Sequence, residues 1–357
     1  MNNQKLMQIA TLFAFEGEVS SITPLGEGFI NDTYIVTTTT NKYILQRKNH
    51  NVFPNVPAMM ENIVAVTEHI KRKVADPMRE SLTVVPTRTG ELYAKVEGNF
   101  YAACVYITDS KSYERADTTT LAYQGGVGIG RFQALLADFD KPLYETIKGF
   151  HNIRHRFEQW DAAVAADGAS RVAELTEEIG WIDSRREQML AFWSLVENGT
   201  IPTRVTHNDT KISNILFDAT TDQVLCAIDL DTVMSSTSLN DFGDAIRSYT
   251  NTGAEDDKDL ERVSMDIEMF RAYAEGYLSE RKQSLTASER EYLAFSALYI
   301  TYEQVLRFLM DYIDGDKYYK TAYEGHNLVR THAQYRLLTS MEAQYEQMKQ
   351  IIAALLD

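Results

Sequence analysis

Residues 201–233 read IPTRVTHNDTKISNILFDATTDQVLCAIDLDTV. A β-branched run leads into His207-Asn208-Asp209, and Asn214 follows Asp209 by five residues. Ile215-Leu216-Phe217 reads as a short apolar strand, residues 218–223 as a polar turn, and Val224 to Ile228 as a second strand that delivers Asp229 and then Asp231. The spacing predicts a loop followed by a hairpin, with acids and an amide at one end.

That set of side chains suits phosphoryl transfer. The moving group spreads its charge over equatorial oxygens, so catalysis is mostly positioning and neutralisation by Mg²⁺. Mg²⁺ prefers hard oxygen ligands and takes one or two protein carboxylates beside phosphate and water. Asn214 and Asp229, at adjoining ends of the hairpin, are the candidate metal ligands, and Asp231 is a candidate for a second metal or an orienting role. Asp209 is placed to accept the proton of a substrate hydroxyl.

H-x-D-x-x-x-x-N followed by a strand ending I-D-x-D resembles the catalytic loop and metal motif of the aminoglycoside phosphotransferase and choline kinase superfamily. Further phrases between residues 26 and 331, among them GEGFINDTYIVTT, KYILQRKN, FHNIRHRFE, DFGDAIR, RFLMDYIDGDKYY and HNLVRT, resemble the N-acetylhexosamine 1-kinases within it. The resemblance implies an α+β, two-lobed protein-kinase-like fold. Residues 1–109 would form a β-rich lobe that covers the nucleotide and ends in a hinge. Residues 110–357 would form a mostly helical lobe for catalysis and substrate binding. It also implies transfer of the ATP γ-phosphoryl to the anomeric 1-OH of GlcNAc or GalNAc, with Mg²⁺ as cofactor and Arg307 and Tyr318 in the sugar pocket. A buried helix arginine paired with a carboxylate such as Asp311 is the plainer reading of Arg307. Phe29 and Ser248 stand where the family can place a histidine and a phenylalanine, which leaves the sugar open. The alternatives are another small hydroxyl acceptor, such as an aminoglycoside or choline, and a nucleotide-binding pseudokinase.

Upstream, Gly26-Glu27-Gly28 lies between two predicted strands, where glycines let backbone N–H groups approach phosphate oxygens. Gly26, Gly28, Asn31 and Thr33 are the candidate nucleotide contacts. The third strand, Tyr43 to Gln46, lacks the lysine that protein kinases place there. Alternation sets Gln46 and Lys48 on one face and Arg47 on the other, so the cation that replaces it stays open. A helix over 59–74 carries Glu61 and Glu68, read as facing solvent or pairing with that cation.

Two motifs invite other readings. Gly125-Gly126-Val127-Gly128-Ile129-Gly130 resembles a dinucleotide fingerprint, but no strand precedes it, and glycines inside a predicted helix serve close packing. Asp241-Phe242-Gly243 spells the metal motif of protein kinases, yet Asp229 already follows Asn214 by a single hairpin. Asp241 is therefore expected to hold the catalytic loop by accepting its backbone amides, with His207 as another supporting residue. Helices are predicted at 157–166, 171–197, 256–278, 287–312 and 328–355, with Glu255-Asp256-Asp257 opening the third of these.

The 357 residues carry a formal charge of −16. Such a balance argues against nucleic acid and anionic membrane as partners, though not against ATP accompanied by Mg²⁺. The two cysteines, Cys104 and Cys226, lie in apolar runs and read as reduced core residues. The first residues lack a signal-peptide layout, and no run approaches the roughly 18 apolar residues of a spanning helix. A cytoplasmic protein acting on a small sugar is the expectation.

Overall fold

The computed structural model describes residues 3–26 and 30–357; Gly28 and Phe29 lie outside the described residues. In chain order the elements are α1 (Asn3–Ala10), β1 (Val19–Pro24), β2 (Asp32–Thr38), β3 (Lys42–Lys48), α2 (Val56–Lys71), β4 (Val84–Val85), β5 (Ala94–Val96), β6 (Asn99–Val105), β7 (Ser110–Lys111), α3 (Thr119–Leu135), α4 (Ile153–Ala166), α5 (Thr176–Asp183), α6 (Arg186–Glu197), β8 (Arg204–Thr206), β9 (Ile215–Asp218), β10 (Val224–Ala227), β11 (Met234–Ser236), α7 (Ser238–Tyr249), α8 (Ile267–Arg281), α9 (Ala287–Ile313) and α10 (His326–Leu356). They fall into two compact units.

The first unit comprises Met1–Lys111, Asp138–Lys148 and Leu216–Met234. Its sheet is antiparallel in the order β1-β2-β3-β6-β4, with β5 on β6. Strand alternation decides which side is buried. Tyr34 faces Leu45, Val36 faces Tyr43 and Leu45 faces Ala103 across the ladder, and this face packs on Leu6 and Ile9 of α1. Gln46 and Lys48 therefore emerge on the opposite face. The β5–β6 hairpin turns on Glu97-Gly98, both at positive φ (48° and 78°), which glycine adopts without strain. A small second sheet, β10-β9-β7, is built around the β9–β10 hairpin. Its turn is closed by Asp218, whose Oδ1 accepts the amides of Thr220 and Thr221 at 3.0 and 2.9 Å.

The second unit comprises Ser112–Ala137, Gly149–Ile215 and Ser235–Asp357, and it is mostly helical. The glycines of α3 act as the helix-packing reading requires. A Cβ on Gly126 would lie 2.2 Å from the Tyr273 carbonyl oxygen of α8, and one on Gly276 would lie 2.0 Å from that of Tyr123, so the two backbones touch. Gly243 does the same for α7, where a Cβ would meet Ser296 O of α9 at 2.2 Å. Helix α9 is buried on nearly every face, the pattern of a central helix. Its start is fixed by a capping box between Thr286 and Glu289.

Three helix expectations need correction. The run 171–197 is two helices, because Arg185 turns back to donate to Trp181 O at 3.1 Å and closes α5 before α6 begins. Residues 255–257 do not open a helix. Glu255 pairs with Arg247 and Asp256 with His326, both at 2.8 Å, while Asp266 accepts the amides of Glu268 and Met269 and caps α8 instead. Helix α4 starts earlier than expected, at Ile153, because Asn152 accepts the amides of Arg154 and His155.

Candidate active site

The loop ahead of β9 belongs to the second unit and is short, polar and densely bonded. Asp209 is half-buried, with its side chain 28% exposed, so it is reachable by a small molecule. Its Oδ2 accepts from Asn214 Nδ2 at 2.9 Å and from Lys211 Nζ at 3.1 Å. Asn214 Nδ2 also donates to the backbone oxygen of Asp209 at 2.8 Å. The five-residue spacing thus folds the loop back on itself so that an amide and an ammonium fix one carboxylate oxygen. Spending Nδ2 on Asp209 fixes the orientation of the Asn214 amide and turns its Oδ1 the other way, as a hard donor.

The backbone of this loop is held from below. Asp241, fully buried on α7, accepts the amides of His207 at 3.0 Å and of Asn208 at 2.7 Å, and also Gln133 Nε2 of α3 at 2.8 Å. Burial pushes the Asp241 carboxyl up, against the amides that favour its charge. One turn along, Asp244 Oδ2 accepts the amide of Thr210 at 2.8 Å and its hydroxyl at 3.2 Å, while Oδ1 pairs with Arg247 at 3.1 Å. Burial opposes charge on Asp244 too, yet Arg247 and His151 hold its carboxyl below the usual range. His207 is fully buried, its ring edge-on to Phe132.

Arg307 lies on α9 of the same unit and is buried. Asp311, the acid expected as its partner, is committed elsewhere: it accepts the amides of Lys317, Tyr318 and Tyr319 and Nδ2 of Asn327. The ion-pair contact of Arg307 is Glu303, at 3.9 Å. Its guanidinium lies over three rings, Phe150 at 5.2 Å, Tyr319 at 5.7 Å and Tyr318 at 5.8 Å. Tyr318 itself is 56% exposed. Ser248 is half-buried on α7, its hydroxyl donating to Ala245 O.

In the first unit the second acid of the I-D-x-D motif is a buried hub. Asp231 Oδ1 accepts from Lys48 Nζ at 2.6 Å, and Oδ2 accepts from Asn31 Nδ2 at 2.8 Å. Lys48 also donates to Gln46 Oε1 at 2.6 Å, and Gln46 Nε2 in turn donates to Thr33 Oγ1 at 3.2 Å. Four residues named from the sequence, Asn31, Thr33, Gln46 and Lys48, thus join one chain of hydrogen bonds that passes through Asp231. Glu61 and Glu68 of α2 are exposed instead, and Glu68 pairs with Lys71. Asp229 is half-buried and takes a left-handed backbone, φ 56°, which aspartate tolerates better than most residues. Gly26 is also left-handed, φ 63°, with no atom of the described residues within 4 Å of where a Cβ would stand.

Lys211 and Asn62 were missed by the sequence reading. Lys211 carried a signal, a cation two residues past the acid in a short loop. Asn62 carried none: it sits inside an amphipathic helix, yet it donates to Val233 O at 3.1 Å and to Tyr144 O at 2.8 Å, and so braces the segment after Asp231.

A family model described as "Phosphotransferase enzyme family" matches residues 21–282. Solved structures with the same fold include a microcompartment-associated aminopropanol kinase, with 18% identity, TM-score 0.65, and coverage of 98% of this chain and 99% of that one. Spectinomycin phosphotransferase APH(9)-Ia, in complex with ADP and spectinomycin, matches at 10% identity and TM-score 0.62 over 97% of this chain and 99% of that one. Plasmodium vivax ethanolamine kinase matches at 13% identity and TM-score 0.58 over 88% and 82%.

Proposed function

Given that the chain belongs to the phosphotransferase enzyme family and has its protein-kinase-like fold, we propose that it transfers the γ-phosphoryl of ATP to the anomeric hydroxyl of an N-acetylhexosamine. The observation that carries the reading is the Asp209 carboxylate, exposed enough to meet a substrate and fixed on one oxygen by Asn214 and Lys211. In this reading Asp209 takes the proton of the acceptor hydroxyl as the oxygen attacks phosphorus. Asp241 and Asp244 keep the loop backbone in place, so that little reorganisation accompanies the step. His207 supports the same loop.

Asn214 and Asp229 would hold Mg²⁺, and the donor set fits: one amide oxygen and one carboxylate are what this ion takes when phosphates and water complete its shell. When bound, the ion would supply neutralisation of the phosphate oxygens. Gly26, Gly28, Asn31 and Thr33 are assigned to the nucleotide. Lys48 is assigned as the cation of the third strand, with Asp231 orienting it. ADP is bound in the spectinomycin phosphotransferase structure, which supports ATP as the donor.

The acceptor is assigned from the resemblance of residues 26–331 to the N-acetylhexosamine 1-kinases, supported by Arg307. With Asp311 committed to backbone amides, the Arg307 guanidinium and the exposed ring of Tyr318 suit a neutral sugar bearing a carbonyl. No helix among the described residues is long and apolar enough to cross a membrane.

A coupled assay of ADP release with N-acetylhexosamines, their methyl glycosides, choline and kanamycin tests this reading. Turnover of the free sugar, with phosphorus coupled to the anomeric proton in the product and none with the methyl glycoside, is expected. Arg307→Ala should weaken sugar binding more than ATP binding. Turnover of choline or kanamycin alone would replace the acceptor, and absence of turnover with every acceptor would favour a nucleotide-binding pseudokinase.

A further inference from the structure

His151 stands just ahead of α4, buried, with its ring against Phe150. Nδ1 lies 2.8 Å from Oε2 of Glu303 on α9, and Nε2 lies 3.2 Å from the backbone oxygen of Asn208. That oxygen belongs to the peptide joining Asn208 to Asp209. Asn208 is left-handed, φ 65°, a conformation costly to residues other than glycine and tolerated by asparagine. The same peptide is gripped at its other end, where the Asp209 amide donates to His207 Nδ1 at 3.3 Å. Two histidines thus fix the peptide plane from which the Asp209 side chain departs.

A carbonyl oxygen carries no hydrogen, so in the contact with the Asn208 oxygen it is His151 Nε2 that donates. Glu303, which meets the other ring nitrogen, is itself held: burial works against its charge, but His151, Arg156 and Arg307 hold its carboxyl below the usual range. We propose that His151 serves as a positioning residue, tying Glu303 to the Asn208–Asp209 peptide so that Asp209 is held in register for proton transfer. The charged groups around it are Glu303 and Arg307 on α9, Arg156 on α4 and Asp244 on α7.

The inference rests on Asp209 as the base, and two measurements separate the two claims. Amide ¹⁵N NMR reads the loop without any substrate. The Asn208 and Asp209 amide signals are expected to move in His151→Phe and to return towards their wild-type positions in His151→Gln, and unmoved signals in His151→Phe overturn the proposal. In turnover, His151→Phe is expected to lose about 10–100-fold in kcat with KM for ATP unchanged, the size of effect that a small misplacement of a reacting group produces. His151→Gln, whose amide can donate to the Asn208 oxygen, should recover most of the loss. Wild-type kcat in His151→Phe, or equal losses in both variants, overturns positioning. Undiminished turnover in Asp209→Asn would remove the base assignment and leave the NMR result standing.

Discussion

Lys48 Nζ and Asp231 Oδ1 meet at 2.6 Å, with both side chains no more than 5% exposed. The lysine is the last residue of β3, and the aspartate lies two residues past Asp229. The lysine that ends β3 is therefore anchored in the segment that carries the proposed metal ligand, and not on α2, whose glutamates are exposed. Breaking a buried pair strands a charge and costs about 3–5 kcal/mol, whereas removing both charges costs much less. Lys48→Met is expected to lose that amount in urea unfolding, and Lys48→Met/Asp231→Leu to recover a good part of it, short of the bond from Asn31. Equal losses in the single and double variants would show that the pair is not coupled.

Asp209→Asn should lower kcat by about 10²–10⁴-fold, the range for loss of a positioned base. ATP affinity should be unchanged, because the side chain acts on the acceptor. A variant that keeps more than half of wild-type kcat would remove Asp209 from the chemistry.

Asp229→Ala is expected to act on the metal instead. Calorimetric titration of ATP with and without Mg²⁺ should show that the variant has lost most of the metal dependence of the wild type. If the dependence survives, Asp229 is not a ligand.

Two glycines predict opposite signs. Gly126→Ala puts a methyl 2.2 Å from the Tyr273 carbonyl oxygen, so α3 and α8 must part, at a cost of about 1–3 kcal/mol. Gly180→Ala, inside α5 with no atom within 4 Å of the new methyl, should stabilise by about 0.5–1 kcal/mol through helix propensity. Thermal melting of both variants checks the pair, and shifts of the same sign would be inconsistent with it.

Acid sensitivity is expected at two carboxylates. Lys73, then His69, hold the Asp138 carboxyl down at about 2. The amides of Thr221 and Thr220 do the same for Asp218, also about 2. Both folded values lie below the unfolded one of about 3.9, so their contribution is present above about pH 4 and is lost as pH falls towards 2. The melting-temperature gap between wild type and Asp138→Asn/Asp218→Asn should therefore narrow from pH 4 to pH 2. A constant gap would contradict this.

The strands and the hairpin were legible because their periods and turns are local: alternation at β3, and the polar stretch 218–223 between two apolar runs. The loop geometry was legible because H-x-D-x-x-x-x-N places Asp209 and Asn214 within one short bend. What could not be read depends on contacts distant in sequence. The burial of Lys48 against an acid turned on Asp231, and the pairing of Arg307 with Glu303 in place of Asp311 turned on Asp311 being drawn off by the amides of 317–319. Helix starts failed at residues 153 and 267 because one side chain, Asn152 or Asp266, decides each by capping, and a run of acids at 255–257 looks the same whether it caps a helix or pairs with Arg247 and His326.

The first unit is assembled from three separate stretches of chain, and its buried lysine waits for an acid 183 residues downstream. During synthesis the β-sheet of residues 19–105 leaves the ribosome with Lys48 lacking that counter-charge, and the whole of α3 to α6 follows before Asp231 appears. Chains emerge at about 5–20 residues per second, so this interval lasts on the order of ten to forty seconds. A nascent chain arrested before residue 231 should present a loosely closed, protease-sensitive sheet, and one released after residue 234 a resistant one. The order of translation thus delays completion of the first unit until the whole of the loop that carries Asp209 in the second has been made.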